Sequence, residues 1–150
     1  MSTIVGTNIE VTNLKYDSDT TSMIISNTGQ VTIQGEGTAT TNLQQGLTKA
    51  WLRMDGGDGG SISTGDSFNI ASVTDQASGN YRVVITNDMS SAQYSATTAG
   101  GGAADNNTLT NVATPNPNFA SGTLDLDCVY AHQTAYDPKI ISLTLNGDLA

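Results

Sequence analysis

Apolar residues at every second position, in short bursts between clusters of glycine, asparagine, aspartate and serine, are what most restricts how this chain can fold. A period of two puts apolar side chains on one face of an extended strand, whereas a helix requires a period near 3.6. The bursts begin with Ile9 and Val11, Met23 and Ile25, then Val31 and Ile33. Further strands are expected at residues 50–54, 67–73, 81–86 and 93–98. Near the end, Leu124, Leu126, Cys128 and Tyr130 share one strand face, and Ile141, Leu143 and Leu145 share another. These two stripes are the expected core.

The connections carry turn chemistry. Residues 22–33 read as a β-hairpin, because Asn27 and Gly29 tolerate the positive φ of a tight turn. Ser78-Gly79-Asn80 is the expected hairpin connection between the strands of Ile70 and Val83, and Asp137-Pro138 the start of a bend before the last strand. The expected fold is all-β: an antiparallel β-sandwich or jelly-roll-like domain preceded by a small N-terminal β-hairpin unit. The polar run at residues 35–41 marks the division, with the N-terminal β-hairpin segment at 1–40 and the sandwich domain at 47–150. A hairpin unit of about forty residues buries too little apolar area to offset chain entropy, so it should lean on the main domain, on neighbouring copies or on another protein. Residues 99–120 read as a long loop with a short apolar patch at Leu109 and Val112, and a loop of that length is either functional or disordered.

Charge and cysteine content narrow the classes of function. Five Lys and Arg stand against fourteen Asp and Glu, and a net charge of −9 repels phosphate backbones, so nucleic acid is not an expected partner. Cys128 is the only cysteine, so no internal disulfide staples the fold. Met1-Ser2-Thr3-Ile4-Val5-Gly6 lacks the basic region and apolar run of a secretion signal, and no stretch approaches bilayer-crossing length. Synthesis in a cytoplasm without membrane insertion is the expectation.

Three ordered blocks carry a resemblance. Lys49-Ala50-Trp51-Leu52-Arg53-Met54-Asp55-Gly56 is followed by Asp66-Ser67-Phe68-Asn69-Ile70-Ala71-Ser72-Val73-Thr74-Asp75 and by Gly79-Asn80-Tyr81-Arg82-Val83-Val84-Ile85-Thr86. Together they resemble a module of bacteriophage tail-fibre proteins, marine phages among them, marked by K-A-W, S-F-N-hydrophobic-S and G-x-Y-x-V. The pattern continues with Asp88-Met89-Ser90-Ser91-Ala92-Gln93-Tyr94 and closes on residues 140–147, so the similarity spans roughly 47–147 without the middle loop. It implies a homotrimeric, non-enzymatic fibre or fibre-tip subunit of the virion that contacts the host surface. The N-terminal segment would meet other virion proteins. A long fibre's attachment domain and shaft exceed this chain's length, leaving a short fibre, a separately encoded tip, or a capsid or tail decoration without receptor specificity. A depolymerase of surface polysaccharide is a further alternative, although nothing selects a pair of carboxylates about 5 to 10 Å apart from the scattered Asp residues.

Each chemical signal has a plain counterpart. His132 and Cys128 lie on one strand face but roughly 13 Å apart along it, which favours a buried Cys and a strand-end His over a catalytic pair. Three copies of His132 on a trimer axis would make a transition-metal site, against the plainer reading of a hydrogen-bonded histidine. Asp55-Gly56-Gly57-Asp58-Gly59-Gly60 suits a solvated hairpin tip better than a calcium loop, because no closing Glu follows at the required spacing. Neither a metal nor another cofactor is expected. Trp51 and Phe68 read as core anchors rather than a sugar-stacking platform. Candidates for binding a host glycan or protein are Asp105, Asn106, Asn107, Asn116 and Asn118, whose polar side chains lie in the long loop; the other reading makes that loop a plain connection.

Overall fold

Period-two alternation becomes antiparallel β-structure in both units into which the chain divides, Met1–Gly46 and Leu47–Ala150. The structure, a computed structural model, describes residues 13–15, 21–34, 40–57, 61–101, 109–113, 119–130 and 134–150.

In the first unit, β1 (Asn13–Lys15), β2 (Thr21–Ile25), β3 (Val31–Gln34) and β4 (Thr40–Asn42) form one sheet in sequence order. The expected hairpin is β2–β3, with Ile25 opposite Val31, Met23 opposite Ile33, and Gly29 at φ 79° in the turn. Two features escaped the sequence reading. Strands β1 and β4 flank the hairpin, and a single helical turn, α1 (Leu43–Gly46), follows β4. The Asn42 side chain caps that turn by accepting from the Gln44 and Gln45 amides at 2.9 and 3.3 Å. Gln44 then reaches back to the hairpin, accepting from the Val31 amide at 3.0 Å and donating to the Gly29 carbonyl at 3.2 Å. Cross-strand pairing puts Met23, Ile25, Val31 and Ile33 on one face of this sheet, yet none of the four is buried within the chain.

The second unit contains β5 (Thr48–Asp55), β6 (Ser63–Phe68), β7 (Ile70–Ala77), β8 (Asn80–Ile85), β9 (Ser95–Gly101), β10 (Leu109–Ala113), β11 (Thr123–Tyr130), β12 (Thr134–Ala135) and β13 (Ile140–Asn146). They pair in the order β6-β5-β13-β9-β10-β11-β8-β7, with β12 added to β11, and every pairing is antiparallel. Leu143 faces Leu52 and Ile141 faces Met54, while Leu126 faces Tyr81 and Leu124 faces Val83. Strands β9 and β10 stand between these two groups in the ladder. Nevertheless Ala50, Leu52, Met54, Ile141, Leu143 and Leu145 belong to one buried cluster with Tyr81, Val83, Ile85, Leu124, Leu126 and Cys128, and Met89 completes it. Both nominated stripes are therefore core, with the Tyr130 side chain outside the described residues. Full burial of each Leu or Ile contributes on the order of 1.5–3 kcal/mol.

Four expectations change. The strand expected at 67–73 breaks at Asn69, whose φ of 58° ends β6 and starts β7, so the chain passes from the β5 ladder to the β8 ladder. The strand expected at 93–98 runs later, at Ser95–Gly101, because pairing with β13 sets its limits. Residues 109–113, read as loop, form β10 and link β9 to β11; five residues flanked by Gly, Asn and Pro signal little until both neighbours are present. Finally, Phe68 is 54% exposed and Trp51 only half-buried. The inward positions of β5 are Ala50, Leu52 and Met54, so Trp51 points outward, and Phe68 lies directly opposite Trp51 in the ladder.

Candidate functional site

The chemistry-bearing side chains of the second unit fall into a buttress, a brace at Asn69, two pairings on the sheet face opposite the core, and a cleft. The buttress centres on Tyr81, which is fully buried. Its hydroxyl donates to the Gly56 carbonyl at 2.7 Å and lies 2.8 Å from Asp137 Oδ1, which also accepts from the Gly79 amide at 2.6 Å. Burial, then the Asp137 carboxylate, push the Tyr81 phenol far above its ordinary value. Both glycines are required here. A Cβ on Gly56 would lie 2.5 Å from the Pro138 carbonyl oxygen, and Gly79 has φ 71° with its back against Cys128 and Tyr136. Gly56 and Gly57 are thus buried, which removes them from the expected solvated tip, whose remaining glycines, Gly59 and Gly60, lie outside the described residues. The Asp55 carboxylate accepts from the Gly57 amide at 2.9 Å and pairs with Lys139 at 3.1 Å, contacts that hold its carboxyl below the usual range. Asp58 lies outside the described residues.

Asn69 is a second brace. Its amide group donates to the Lys49 and Asn87 carbonyls at 3.0 and 3.1 Å, and its Oδ1 accepts from the Asn87 amide at 2.8 Å. Asparagine tolerates the left-handed conformation and bonds locally, which explains why this residue occupies the β6–β7 switch. On the face opposite the core, Arg82 grips the buried Asp125 carboxylate with two bonds of 2.8 and 2.9 Å, and Asn80 donates to Asp127.

Cys128 is 1% exposed, and burial pushes its thiol up to about 12. It remains a neutral thiol at physiological pH, unsuited to nucleophilic attack. His132 lies outside the described residues, as do Asp105, Asn106, Asn107, Asn116 and Asn118, which bracket β10 in sequence. Among the described residues, no three His, Cys, Asp or Glu side chains converge as a metal site.

The cleft lies where the chain enters β9. It has a volume of about 510 Å³ and is lined by Ala92, Gln93, Tyr94, Ser95 and Phe119. The Tyr94 and Phe119 rings have centroids 4.9 Å apart and are tilted by 46°. The Tyr94 hydroxyl reaches the Ala120 and Thr123 carbonyls at 3.1 and 3.3 Å, which holds its ring in place. Backbone bonds anchor the approach to the cleft: Met89 donates to Ser121 at 2.9 Å, Ser90 to Asp148 at 2.8 Å, and Ala150 to Asp88 at 2.9 Å. Gly147 permits this packing, since a Cβ there would meet Tyr94 Cβ at 2.9 Å. Gln93 and Ser95 remain exposed at the cleft.

In the sequence, Gln93 and Tyr94 stand out only as members of the expected 93–98 strand and of the family pattern, and Phe119 is not singled out. An aromatic residue directly after the Pro115-Asn116-Pro117-Asn118 run was the available signal, because loop-flanking aromatics favour recognition surfaces. Comparison of the chain with protein-family models, curated proteins and solved structures finds no match.

Proposed function

We propose that this chain is a non-enzymatic structural and attachment protein of a bacteriophage particle, a homotrimeric fibre or fibre-tip subunit whose second unit is a two-layer β-sandwich. The observation that carries this reading is what the three blocks resembling phage fibres do. Residues 49–56 make β5 and its buried exit, 66–75 make the Asn69 switch between β6 and β7, and 79–86 make the tight turn and β8 with its Tyr81 buttress. The shared pattern thus marks a scaffold rather than a reaction centre. Among the described residues, Cys128 is buried and neutral, while Asp55, Asp125, Asp127 and Asp137 are engaged with partners inside the chain, which supports a scaffold role for them. The sandwich is supported by the single cluster that unites the β5–β13 stripe with the β8–β11 stripe.

Association is supported by the first unit, whose apolar face is only half-buried at Met23, Ile25 and Val31 and exposed at Ile33. A sheet of four short strands gains stability chiefly by covering such a face. In the fibre it meets other virion proteins, and the second unit faces the host glycan or surface protein, where three copies add weak contacts into firm attachment.

The purified chain should sediment at three times its mass of 15.5 kDa and bind intact host cells. A stable monomer at micromolar concentration sinks the trimer. Detection of the chain at capsid lattice positions, with normal adsorption of particles that lack it, would assign it to decoration instead.

A further inference from the structure

We infer that the Tyr94–Phe119 cleft is a binding site for a neutral pyranose of a host-surface saccharide. The attachment role proposed above supplies the reason for meeting such a ligand; the chemistry of the site supplies its class.

The space of about 510 Å³ at these residues is largely open to solvent, a shallow depression of the kind that can seat one face of a sugar ring. Its described lining combines two aromatic rings with an amide and a hydroxyl. A pyranose needs that combination, since its axial C–H bonds form a weakly positive face that settles on the electron-rich face of an aromatic ring. Its hydroxyls both donate and accept, as do Gln93 and Ser95. No lining residue among those described is charged. With a net charge of −9 on the chain, sialic and uronic acids are repelled and neutral sugars are preferred.

The site is also preorganised, which lowers the ordering cost of binding. The Tyr94 hydroxyl is occupied by the Ala120 and Thr123 carbonyls, and the Gln93 backbone N–H donates to Ser91 Oγ at 3.1 Å, which fixes the chain at the start of the cleft. Burial pushes the Tyr94 phenol up to about 12, so the ring carries no charge at physiological pH. By contrast, Phe68 and Trp51 lie on the face of the sheet opposite the core, in the β5–β6 ladder. They therefore serve as an internal control.

Saturation-transfer NMR on the full chain tests the assignment, using methyl glycosides of glucose, galactose and N-acetylglucosamine, a short neutral oligosaccharide, and sialic and glucuronic acids. The neutral pyranosides should receive saturation and the acids should not. Phe119→Ala should weaken binding about tenfold, as loss of an aromatic platform does. Phe119→Leu keeps apolar packing without the ring and should show the same loss with an unchanged melting temperature. Gln93→Ala should weaken binding several-fold, and Phe68→Ala should leave it unchanged. Absence of transfer to every neutral sugar, preference for the acids, or a loss with Phe68→Ala but not Phe119→Leu would overturn the assignment. Sugar binding by a monomer absent from particles would remove the fibre role and leave the site; a particle-borne trimer blind to neutral sugars would do the reverse.

Discussion

Replacing Tyr81 by Phe removes one oxygen from the most enclosed polar contact in the second unit. The side chain is fully buried, and its single phenolic proton serves two acceptors, the Gly56 carbonyl at 2.7 Å and Asp137 Oδ1 at 2.8 Å. In the variant the carboxylate keeps the Gly79 amide at 2.6 Å, but the Gly56 carbonyl loses this donor. A hydrogen bond to a charged acceptor contributes about 1.5–3 kcal/mol, and an orphaned buried carbonyl costs about 1–3 kcal/mol; the two overlap in one atom. Relief of the phenol's desolvation offsets part of the loss, so a net cost of about 2 kcal/mol is expected, or roughly 10 °C in Tm for a unit of this size. Tyr94→Phe is the reference. Its hydroxyl meets only neutral carbonyls, at 3.1 and 3.3 Å, and its loss should cost about 0.5–1.5 kcal/mol. Urea titration followed by circular dichroism measures both, at one protein concentration because assembly is linked to stability. If Tyr81→Phe costs no more than Tyr94→Phe, the buttress does not bear on stability as described.

Other perturbations follow from the same contacts. Gly79→Ala forces a side chain into a left-handed turn at φ 71°, with its Cβ against the Cys128 carbonyl and 2.8 Å from the Tyr136 amide nitrogen, and should cost about 3 kcal/mol by urea titration. Cys128 should resist iodoacetamide at pH 8 in the native protein and react readily in denaturant, because its thiol is buried and pushed up to about 12; rapid native labelling would contradict its place in the core. The Asp55 carboxyl is held below its ordinary value by the Gly57 amide and then Lys139, so its contribution is present above an unfolded value near 4 and is lost as pH falls through the lower folded value. Asp55→Asn should therefore flatten the acid limb of the stability–pH curve, measured by thermal melts between about pH 2 and 5.

Much of the architecture was legible because strand periodicity is local. Leu124, Leu126, Cys128, Ile141, Leu143 and Leu145 could be named as core from alternation alone, and Gly29 and Gly79 as turn residues from their conformational freedom. Phase was harder to read. In Lys49-Ala50-Trp51-Leu52-Arg53-Met54 the wholly apolar set Ala50, Leu52 and Met54 faces the core, and Trp51, nominated for its size, shares the outward phase of the charged Lys49 and Arg53. The candidate site was scarcely legible, because Tyr94 and Phe119 are far apart in the chain and meet only across the β9 entrance.

The all-β character of this protein is therefore a property of its sequence by itself, since period-two alternation and turn residues act over a few neighbours. Tertiary structure alone decided that Asn69 switches ladders, that residues 109–113 bridge β9 to β11, and that the two core stripes share one cluster. Each of those depends on partners distant in sequence, whose register no local pattern encodes. Residues 49–56, 66–75 and 79–86, which read as three separate blocks in the sequence, become β5, the Asn69 switch and the turn into β8 only once their distant partners are in place.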